Sequence, residues 1–311
     1  MLKLSIIMPT YNQGNYIQEA ILSVLNQKDP NYELIVYDSL STDETPDILR
    51  HFGEEIVWIR EKDSGQVDAI NKGLKKAKGE ILTWLNSDDV YLPFAFNYVR
   101  KSFEKAPYLD FVYGDALEID SLSNIITPNL FTEDYNADRY LYSHNFICQP
   151  TMFFKKTSLT KVGLLRKDLK WIMDYEWFSR FFVLGLKGKR IPHFLSANRN
   201  YPQTKTNSGG YRRYMEIMKV IYHRPAKNFL IRKATWVYSL EHIIKTINNL
   251  LENWNPESIF YYKLKEINYY LSEKFLHLVY PNSKDEIIKR FNEQILAQGK
   301  NIKEIWRNSL S

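Results

Sequence analysis

The stretch Ile81–Pro93 constrains the chain more than any other, because an apolar segment runs straight into two adjacent carboxylates. Its first half, Ile81–Leu85, is apolar and β-prone, which predicts a buried strand. Asp88 and Asp89 follow, and neighbouring carboxylates at the end of a buried strand must be hydrated, hydrogen-bonded or neutralised by a cation. Hard oxygen ligands suit Mg²⁺ or Mn²⁺. A helix N-cap or a polar turn is the alternative interpretation of the same residues.

Two kinds of segment alternate along the N-terminal part of the chain. Four apolar segments are predicted to be strands, namely Lys3–Met8, Tyr32–Tyr37, Ile56–Arg60 and Ile81–Leu85. Three segments with helical periodicity separate them, namely Tyr16–Gln27, Thr45–Phe52 and Val67–Ala77. Consecutive strands joined through a helix form βαβ units and should be parallel. We therefore predict an α/β fold with a Rossmann-like, mostly parallel central sheet flanked by helices, and ligands bound where the strands end.

Similar elements continue after Pro93. They are a helix over Ala95–Lys105, a strand over Asp110–Tyr113 that ends at Gly114-Asp115, a strand pair over Ala116–Ile126, a strand within Phe146–Lys155, a helix that begins near Asp174 and a strand over Arg190–Ser196. A polar turn at Asp120–Asn124 is expected to join the strand pair. The α/β region is thus expected to extend to about residue 210.

The remainder of the chain is basic and has helical periodicity. Residues 211–311 carry 17 Lys and Arg against 10 Asp and Glu, a net charge of +7, which leaves −1 for residues 1–210. Helices are predicted over Arg212–His223, Ala226–Leu251, residues 256–281 and Lys284–Ala297. We expect an α/β domain, 1–210, followed by a helical C-terminal domain, 211–311. A basic helical tail can contact a membrane surface or a polyanionic glycan, whereas solvated helix faces are the simpler interpretation. Nucleic acid is not an expected partner, because no binding motif accompanies the charge.

The cysteine content and the hydropathy of the chain indicate the cellular compartment of the protein. Cys148 is the single cysteine, so no disulfide can form within the chain, and its apolar surroundings favour a small core residue over a nucleophile. The N-terminus begins with a predicted strand instead of a signal peptide, and no window approaches 18 uninterrupted apolar residues. We expect a cytoplasmic protein, with the inner face of the plasma membrane as the place where the tail would make a peripheral contact.

Two polar residues are expected at the same sheet edge as the acidic stretch. Asn12 follows the first predicted strand and Asp38 ends the second. A carboxylate at the tip of a strand can accept a hydrogen bond from a ribose hydroxyl or a base N–H, as acidic residues do in dinucleotide folds. We prefer this interpretation of Asp38 to a purely structural role in the turn.

Four motifs in order resemble the family 2 inverting glycosyltransferases, which have the GT-A fold. They are P-T-Y-N from Pro9, D-S-x-S-T-D from Asp38, D-x-G-x-x-D-A-x-N-K-G from Asp63, and L-N-S-D-D from Leu85. Each motif is weak alone, but the ordered set at this spacing is strong evidence. The resemblance covers residues 3 to about 205, and the Asn-Ser-Asp-Asp form of the acidic motif is similar to that of one subgroup.

The resemblance implies roles for individual residues. It implies nucleotide-sugar-binding roles for Pro9, Thr10, Tyr11, Asn12, Asp38, Asp68, Lys72, Asn86, Ser87, Asp88 and Lys205. It implies that Asp88 binds Mg²⁺ or Mn²⁺, and that Lys205 stabilises the leaving phosphate. It implies that Asp174, at a helix start, is the catalytic base, with Glu176 as the fallback. The acceptor-side candidates are Gln149, Trp171 and Glu176.

Five positions depart from the family pattern, and one of them is Tyr201, which stands where His is common. Ser39 stands where a second Asp is common, and Leu40 stands where a residue with positive φ is often needed. Asn86 replaces the first carboxylate of the D-x-D site, which implies a weakly held cation completed largely by the donor diphosphate. Met173 stands where Glu is frequent.

The resemblance therefore implies a metal-dependent, inverting glycosyltransferase. It would transfer a sugar from a nucleoside-diphosphate sugar, with UDP the favoured nucleotide, to a hydroxyl of a glycan or lipid-linked acceptor in bacterial surface polysaccharide biosynthesis. The alternative is a catalytically degenerate GT-A domain that binds nucleotide or glycan as a subunit of an assembly, and the departures at Ser39, Asn86 and Met173 support it. The sugar, the acceptor, the linkage and the oligomeric state are not implied by these residues.

Overall fold

The computed structural model describes residues 2–142, 145–205, 209–222 and 284–310. The strands are β1 (Leu4–Thr10), β2 (Tyr32–Asp38), β3 (Val57–Arg60), β4 (Ile81–Trp84), β5 (Val90–Tyr91), β6 (Phe111–Ile119), β7 (Ile125–Pro128), β8 (Phe153–Lys155) and β9 (Gly188–Arg199). The helices are α1 (Gly14–Leu25), α2 (Thr45–His51), α3 (Gln66–Lys76), α4 (Ala95–Lys105), α5 (Ala137–Tyr142), α6 (Lys156–Val162), α7 (Met173–Val183), α8 (Gly210–Tyr222), α9 (Lys284–Phe291) and α10 (Ile302–Leu310).

All nine of these strands lie in one sheet. Their order is β3-β2-β1-β4-β8-β6-β9-β5, with β7 paired to β6 beside this path. β1, β2, β3 and β4 pair in parallel, as the predicted βαβ units require, and so do β6 and β9. β8 is antiparallel to both β4 and β6, and β5 is antiparallel to β9. The sheet is therefore mixed, and the expected mostly parallel pairing is confined to the β3–β4 half and the β6–β9 pair.

The two faces of the sheet carry two separate apolar cores. On β1, Ile6 and Met8 belong to the cluster shared with α1 and α4, whereas Ile7 belongs to the cluster shared with α3 and α7. On β4, Trp84 belongs to the cluster shared with α3 and α7, and Ile81 belongs to the cluster shared with α1 and α4. Alternate side chains of a strand point to opposite faces. A strand covered by helices on both sides is consequently apolar along its whole length, which is the pattern that the sequence shows.

Most predicted elements are observed, with shifted ends. Helix α4 has the predicted bounds, and the hairpin β6–β7 has its predicted turn. β6 (Phe111–Ile119) continues through Gly114 and Asp115, where the strand over Asp110–Tyr113 was expected to end, and so joins it to the first strand of the expected pair. β8 is only three residues long, because the chain around Pro150 forms a short 3₁₀ helix instead of a strand.

The end of the chain packs against the sheet. Ile302, Ile305 and Trp306 share an apolar cluster with Val90 of β5 and Leu117 of β6. The Trp306 indole N–H donates to the Tyr91 carbonyl at 3.2 Å, and the Arg290 guanidinium bonds to the buried Asp115 carboxylate at 2.9 and 3.1 Å. The last described segment is thus joined to the α/β core by apolar, hydrogen-bond and ionic contacts.

Parts of the predicted helical tail lie outside the described residues. These parts are the helices expected over Ala226–Leu251 and residues 256–281. The helix predicted over Lys284–Ala297 is α9 followed by a π-helical segment, Asn292–Leu296. The division of the chain at residue 210 remains a prediction. Within the described ranges no helix is both long enough and apolar enough to cross a membrane.

Candidate active site

A cavity of about 740 Å³ opens at the sheet edge where β1, β4 and β9 end. The expected site residues on its wall are Pro9, Thr10, Tyr11, Asn86, Ser87, Asp88 and Lys205. The expected residues that are not on its wall are Asn12, Asp38, Asp68, Lys72, Gln149, Trp171, Asp174 and Glu176. The fold therefore brings together the strand-end motifs, whereas several of the flanking candidates take other positions. We call this space the sheet-edge cavity.

The loops after β1 and β2 are fastened to each other by reciprocal hydrogen bonds. The backbone N–H of Asn12 donates to Ser41 Oγ at 2.9 Å, and Asn12 Oδ1 accepts from the backbone N–H of Thr42 at 2.9 Å. Gly14 N–H donates to Asp43 Oδ2 at 2.9 Å in the same region. The Asn12 side chain therefore joins the loop after β1 to the loop after β2, and it does not line the cavity.

Asp38 differs from the expectation that it points into the sheet-edge crevice. Its side chain is buried, Oδ1 accepts from the Ser41 N–H at 2.9 Å, and Oδ2 lies 3.3 Å from Arg60 Nε. The carboxylate therefore stabilises the turn after β2. Leu40 in this turn has φ +58°, so the chain keeps the left-handed conformation at this position without glycine. Ser39 faces the cavity in place of the common second Asp.

The acidic tip, Asn86–Asp89, is held by a network of side chains. Asn86 Oδ1 accepts from Gln66 Nε2 at 2.7 Å, and Asn86 Nδ2 donates to Asp89 Oδ2 and to Gln149 Oε1, each at 3.1 Å. Gln149 in turn donates to the Trp84 carbonyl at 2.8 Å. Gln149 thus supports the acidic tip from behind the wall, which differs from its expected place among the acceptor-side residues.

The two carboxylates of the acidic tip have different surroundings. Asp89 is buried and accepts from the backbone N–H of Arg199 at 2.9 Å, and burial together with the charge of Asp88 raises its pKa to about 8. Asp88 faces the cavity and Oδ2 accepts from the Tyr201 hydroxyl at 3.0 Å. Burial raises the pKa of Asp88 above its usual value, although the Tyr201 hydrogen bond opposes the shift. Both carboxylates line the cavity, but both oxygens of Asp89 accept hydrogen bonds, from Arg199 and Asn86, whereas Asp88 accepts one through Oδ2 from Tyr201. Asp88 is therefore the carboxylate more available to a ligand.

Arg199, at the end of β9, connects the acidic tip to distant parts of the chain. Its Nε donates to the Asp88 carbonyl at 2.9 Å, and Nη2 forms an ion pair with Glu19 at 3.0 Å. Nη1 donates to the carbonyl of Asp120 at 2.9 Å and to Ser123 Oγ at 3.0 Å. The arginine side chain is fully buried, so these contacts fix its position.

Aromatic rings extend the same group of contacts. The Arg199 guanidinium lies 4.7 Å from the centre of the Tyr16 ring, and the Tyr16 and Tyr201 rings are 5.3 Å apart. Tyr201 stands where His is common in the family pattern, and its hydroxyl donates to Asp88. Its phenol therefore orients the carboxylate that faces the cavity.

Lys205 lies on the cavity wall and Asp174 does not, but the two charged groups are close enough to affect each other's pKa. Lys205 Nζ donates to Gln66 Oε1 at 2.6 Å, and burial lowers the pKa of Lys205 although the charge of Asp174 opposes this. Asp174 lies in the first turn of α7, where Oδ1 accepts from the Tyr175 N–H at 2.8 Å. Burial raises the pKa of Asp174, partly offset by that hydrogen bond and by the charges of Arg213 and Lys205. A carboxylate with a raised pKa near a cavity suits a general base.

Two of the flanking candidates are committed to ion pairs with other side chains. Lys72 Nζ lies 2.9 Å from Glu61 and 3.8 Å from Asp68. Glu176 is bonded through both carboxylate oxygens to Arg180, which lies on the next turn of α7. Glu176 and Asp174 therefore point in different directions, as residues two apart on a helix should. The contacts of Glu176 therefore do not support its expected role as the fallback base.

The remaining flanking candidates also have protein partners. Asp68 lies 2.7 Å from Lys167 and accepts from the Ser64 N–H at 3.1 Å. The backbone N–H of Trp171 donates to Glu216 Oε2 of α8 at 2.9 Å. A side chain at Gly209 would come within 2.6 Å of the Trp171 ring, so the indole packs directly against that glycine. Asp68 and Trp171 thus contact other protein groups and do not line the cavity.

The cavity chemistry fits a divalent cation that takes few protein ligands. Asp88 offers a half-buried carboxylate that faces the cavity and accepts a hydrogen bond from the Tyr201 hydroxyl through Oδ2. In the described part of the chain, no group of three or more His, Cys, Asp and Glu side chains is arranged to hold a metal. The side chain of Asn86 is occupied by Gln66, Asp89 and Gln149. A cation at Asp88 would therefore need most of its ligands from a bound substrate and water.

Several residues of the site were not singled out by sequence reasoning. Gln66 links the acidic tip to Lys205, and it opens α3 directly after Gly65, whose φ is +114°. Cys148 lines the cavity and contacts Asn198 at 3.0 Å, so it is not an ordinary core residue. The Gly-Gln step after a strand was visible in the sequence, but the contact between Arg199 and Glu19 joins residues 180 positions apart and has no local signal.

Known proteins resemble this chain in sequence. Residues 5–163, just over half of the chain, match the family described as Glycosyl transferase family 2. An uncharacterized glycosyltransferase of Rickettsia prowazekii is 33% identical over 184 residues, which are 57% of this chain and 58% of that protein. A PGL/p-HBAD biosynthesis glycosyltransferase of Mycobacterium bovis is 28% identical over 63% of this chain and 76% of that protein. The chain thus spans less than two thirds of the length of the rickettsial relative.

Solved structures resemble it in fold. S. aureus TarS in complex with UDP-GlcNAc has a TM-score of 0.62 at 17% identity, covering 100% of this chain and 91% of that one. The mannosyltransferase PcManGT of Pyrobaculum calidifontis, in complex with GDP-Man and Mn²⁺, has a TM-score of 0.61 at 16% identity, covering 95% and 87%. These likenesses confirm the expected GT-A fold. The family match over residues 5–163 shows that the chain belongs to glycosyl transferase family 2.

Proposed function

We propose that this protein is an inverting glycosyltransferase that uses a nucleoside-diphosphate sugar. The observation that carries the proposal is the sheet-edge cavity, in which Asp88 faces the space where the strands end and Lys205 lies on the same wall. A carboxylate that can hold a cation and a lysine that can contact phosphate are the groups that a diphosphate needs. Family membership supports the same chemistry.

The donor proposed is a UDP-sugar. Pro9, Thr10 and Tyr11 would form the nucleoside side of the cavity, and Ser39 is the residue that faces it from the turn after β2. UDP-GlcNAc is the ligand of one structural neighbour and GDP-Man that of another, so both nucleotides belong in the test. The exposed ring of Tyr11 offers an apolar face for a base or sugar to stack on.

The base proposed is Asp174. It would accept the proton of an acceptor hydroxyl, whose oxygen then attacks the anomeric carbon from the face opposite the diphosphate. The bond from that carbon to the diphosphate oxygen breaks, and the configuration inverts. Lys205 would contribute positive charge to the departing diphosphate. A divalent cation, Mg²⁺ or Mn²⁺, held by Asp88 would supply further charge neutralisation when bound.

The acceptor proposed is a hydroxyl of a glycan or a lipid-linked glycan in surface polysaccharide synthesis. The mycobacterial relative named for PGL/p-HBAD biosynthesis supports an acceptor of this kind. The proposed location is the cytoplasm, with peripheral contact at the inner face of the plasma membrane through the basic residues after 210.

The second candidate is a degenerate GT-A domain that binds nucleotide or glycan without transferring it. Asn86 favours it, because this residue replaces a carboxylate of the metal site and is committed to three neighbouring side chains. Such a domain would bind a ligand in the sheet-edge cavity but would neither hydrolyse nor transfer any donor.

Calorimetric titration tests the donor site. UDP, GDP and dTDP are titrated with and without Mn²⁺ into the wild type, Asp88→Ala and the control Asp168→Ala, which removes a carboxylate that pairs with Arg166 outside the cavity. We expect Mn²⁺-dependent binding of UDP to the wild type and the control, and its loss in Asp88→Ala. Absence of binding for all three diphosphates would overturn the metal-site assignment.

The catalytic role is tested with Asp174→Asn and a panel of donor sugars. Because the amide cannot accept the proton, hydrolysis or transfer should be lost while UDP binding is kept. In the wild type the rate should rise with pH until Asp174 is ionised, and burial places this rise above the usual range for an aspartate. UDP binding without turnover of any donor by the wild type would favour the degenerate domain.

A further inference from the structure

Ser123 occupies an unusual place in the turn between β6 and β7. Its φ is +68°, in the left-handed region that favours glycine, and its side chain is only 2% exposed. A serine here has a conformational cost that a glycine would avoid. Such a cost is retained when the side chain performs a task that glycine cannot perform.

The hydroxyl of Ser123 is fully engaged. It donates to Glu19 Oε2 at 2.7 Å and accepts from Arg199 Nη1 at 3.0 Å. Glu19 Oε2 also accepts from Arg199 Nη2 at 3.0 Å. Ser123, Glu19 and Arg199 therefore form a closed ring of three hydrogen bonds, one buried and two partly buried, and each member orients the other two.

This ring is connected to the acidic tip through Arg199. The backbone N–H of Arg199 donates to Asp89 Oδ1 and its Nε donates to the Asp88 carbonyl, both at 2.9 Å. A rotation of the guanidinium would break the second contact and release the backbone of the carboxylate that faces the cavity. Ser123 itself is not on the cavity wall, so it can act on Asp88 only through Arg199.

The end of the chain holds the turn that carries Ser123. The Ile302 N–H donates to the Ser123 carbonyl at 3.0 Å, and the Lys300 carbonyl accepts from the Ile125 N–H at 2.9 Å. Asn301 Nδ2 donates to the Leu122 carbonyl at 3.2 Å. A segment nearly 180 residues further along the chain thus stabilises the left-handed turn at Ser123.

We propose that Ser123 is a positioning residue for the acidic tip, acting through Arg199, and that the segment Lys300–Ile302 keeps it in place. The inference rests on the proposed function in that Asp88 is taken to bind the donor diphosphate with its cation. It predicts that the hydroxyl of Ser123 contributes to ligand binding although it contacts no ligand.

The test is Ser123→Gly in the full chain, because this change relieves the backbone while it removes the hydroxyl. The urea midpoint of unfolding should stay equal or rise, whereas Mn²⁺-dependent UDP binding should weaken about tenfold, the lower end for outer contacts of a metal ligand. Amide exchange over residues 86–91 should become at least about threefold faster, with β1 unchanged. Ser123→Ala keeps the backbone cost and should weaken binding similarly.

Lys28→Gly is the matched control. Lys28 is exposed and has φ +51°, so glycine relieves the backbone there without touching the ring of hydrogen bonds. Unchanged UDP affinity and unchanged exchange over 86–91 in Ser123→Gly would overturn the inference. Faster amide exchange in β1, in addition to residues 86–91, would also overturn the inference, because Ser123 would then stabilise the fold in general and not the acidic tip in particular. If the wild type binds no diphosphate, the proposed function fails, and the exchange measurement alone decides the inference.

Discussion

Replacement of Arg199 by lysine tests how the acidic tip is held. The arginine spreads four side-chain hydrogen bonds over three nitrogens, to Asp88, Asp120, Ser123 and Glu19. A lysine keeps the positive charge but presents it on one nitrogen. It can retain the ion pair with Glu19, but it cannot also reach acceptors that lie in different directions.

The expected cost follows from the contacts that lysine cannot make. Two or three hydrogen bonds are lost, and their acceptors are the carbonyls of Asp88 and Asp120 and the hydroxyl of Ser123. A buried acceptor left without its donor costs about 1–3 kcal/mol, and water that enters from the cavity lowers this. We expect Arg199→Lys to lower the free energy of unfolding by about 2–4 kcal/mol.

Urea unfolding at pH 7 measures this difference, and calorimetry with UDP and Mn²⁺ measures the effect on the site. The control is Arg166→Lys, which alters an exposed arginine side chain that contacts a single carboxylate, Asp168, through two nitrogens. Exposed ion pairs contribute about 0–1 kcal/mol to stability, so Arg166→Lys should change the free energy of unfolding little. A loss below about 1 kcal/mol in Arg199→Lys, with UDP binding intact, would refute the reasoning.

Two further predictions concern charges elsewhere in the fold. Asp115→Asn should lower the free energy of unfolding by about 3 kcal/mol or more in urea titration, because it leaves Arg190 and Arg290 buried without their carboxylate; a change under about 1 kcal/mol would contradict it. The Lys167 ion pair lowers the pKa of Asp68, so its stabilisation is present above the usual pKa of about 3.9 and is lost as the pH falls through the lower folded value. Asp68→Asn should therefore cost under about 1 kcal/mol at pH 7, since Lys167 is exposed, and less at pH 2; equal costs at both pH values in urea unfolding would disprove this origin.

Local patterns were sufficient for the elements of the N-terminal half. The alternation of apolar strands and amphipathic helices predicted β1 to β4 and their parallel pairing, because a βαβ unit leaves few alternatives. Asp88 was expected at a sheet edge for the same reason, since parallel strands end on one side. The start of α7 at Met173, with Asp174 in its first turn, also followed from sequence periodicity.

Side-chain direction in loops was not determined by these patterns. Asp38 was expected to face a ligand, but Ser41 and Arg60 take its oxygens. Lys72 and Glu176 were likewise diverted to ion pairs with Glu61 and Arg180. A strand pattern specifies where a residue lies along the sheet edge. The neighbouring loop, which comes from another part of the chain, decides which atom its side chain reaches.

The sequence by itself therefore determined the architecture and the position of the acidic tip, because both depend on short-range periodicity and on the few ways in which βαβ units can pair. Only the tertiary structure decided how the tip is held. Arg199 meets Glu19 and Asp88, and the segment at Asn301 meets the hairpin turn at Leu122. These contacts join residues separated by 111 to 180 positions. They form only when folding closes those long loops, so no local pattern encodes them.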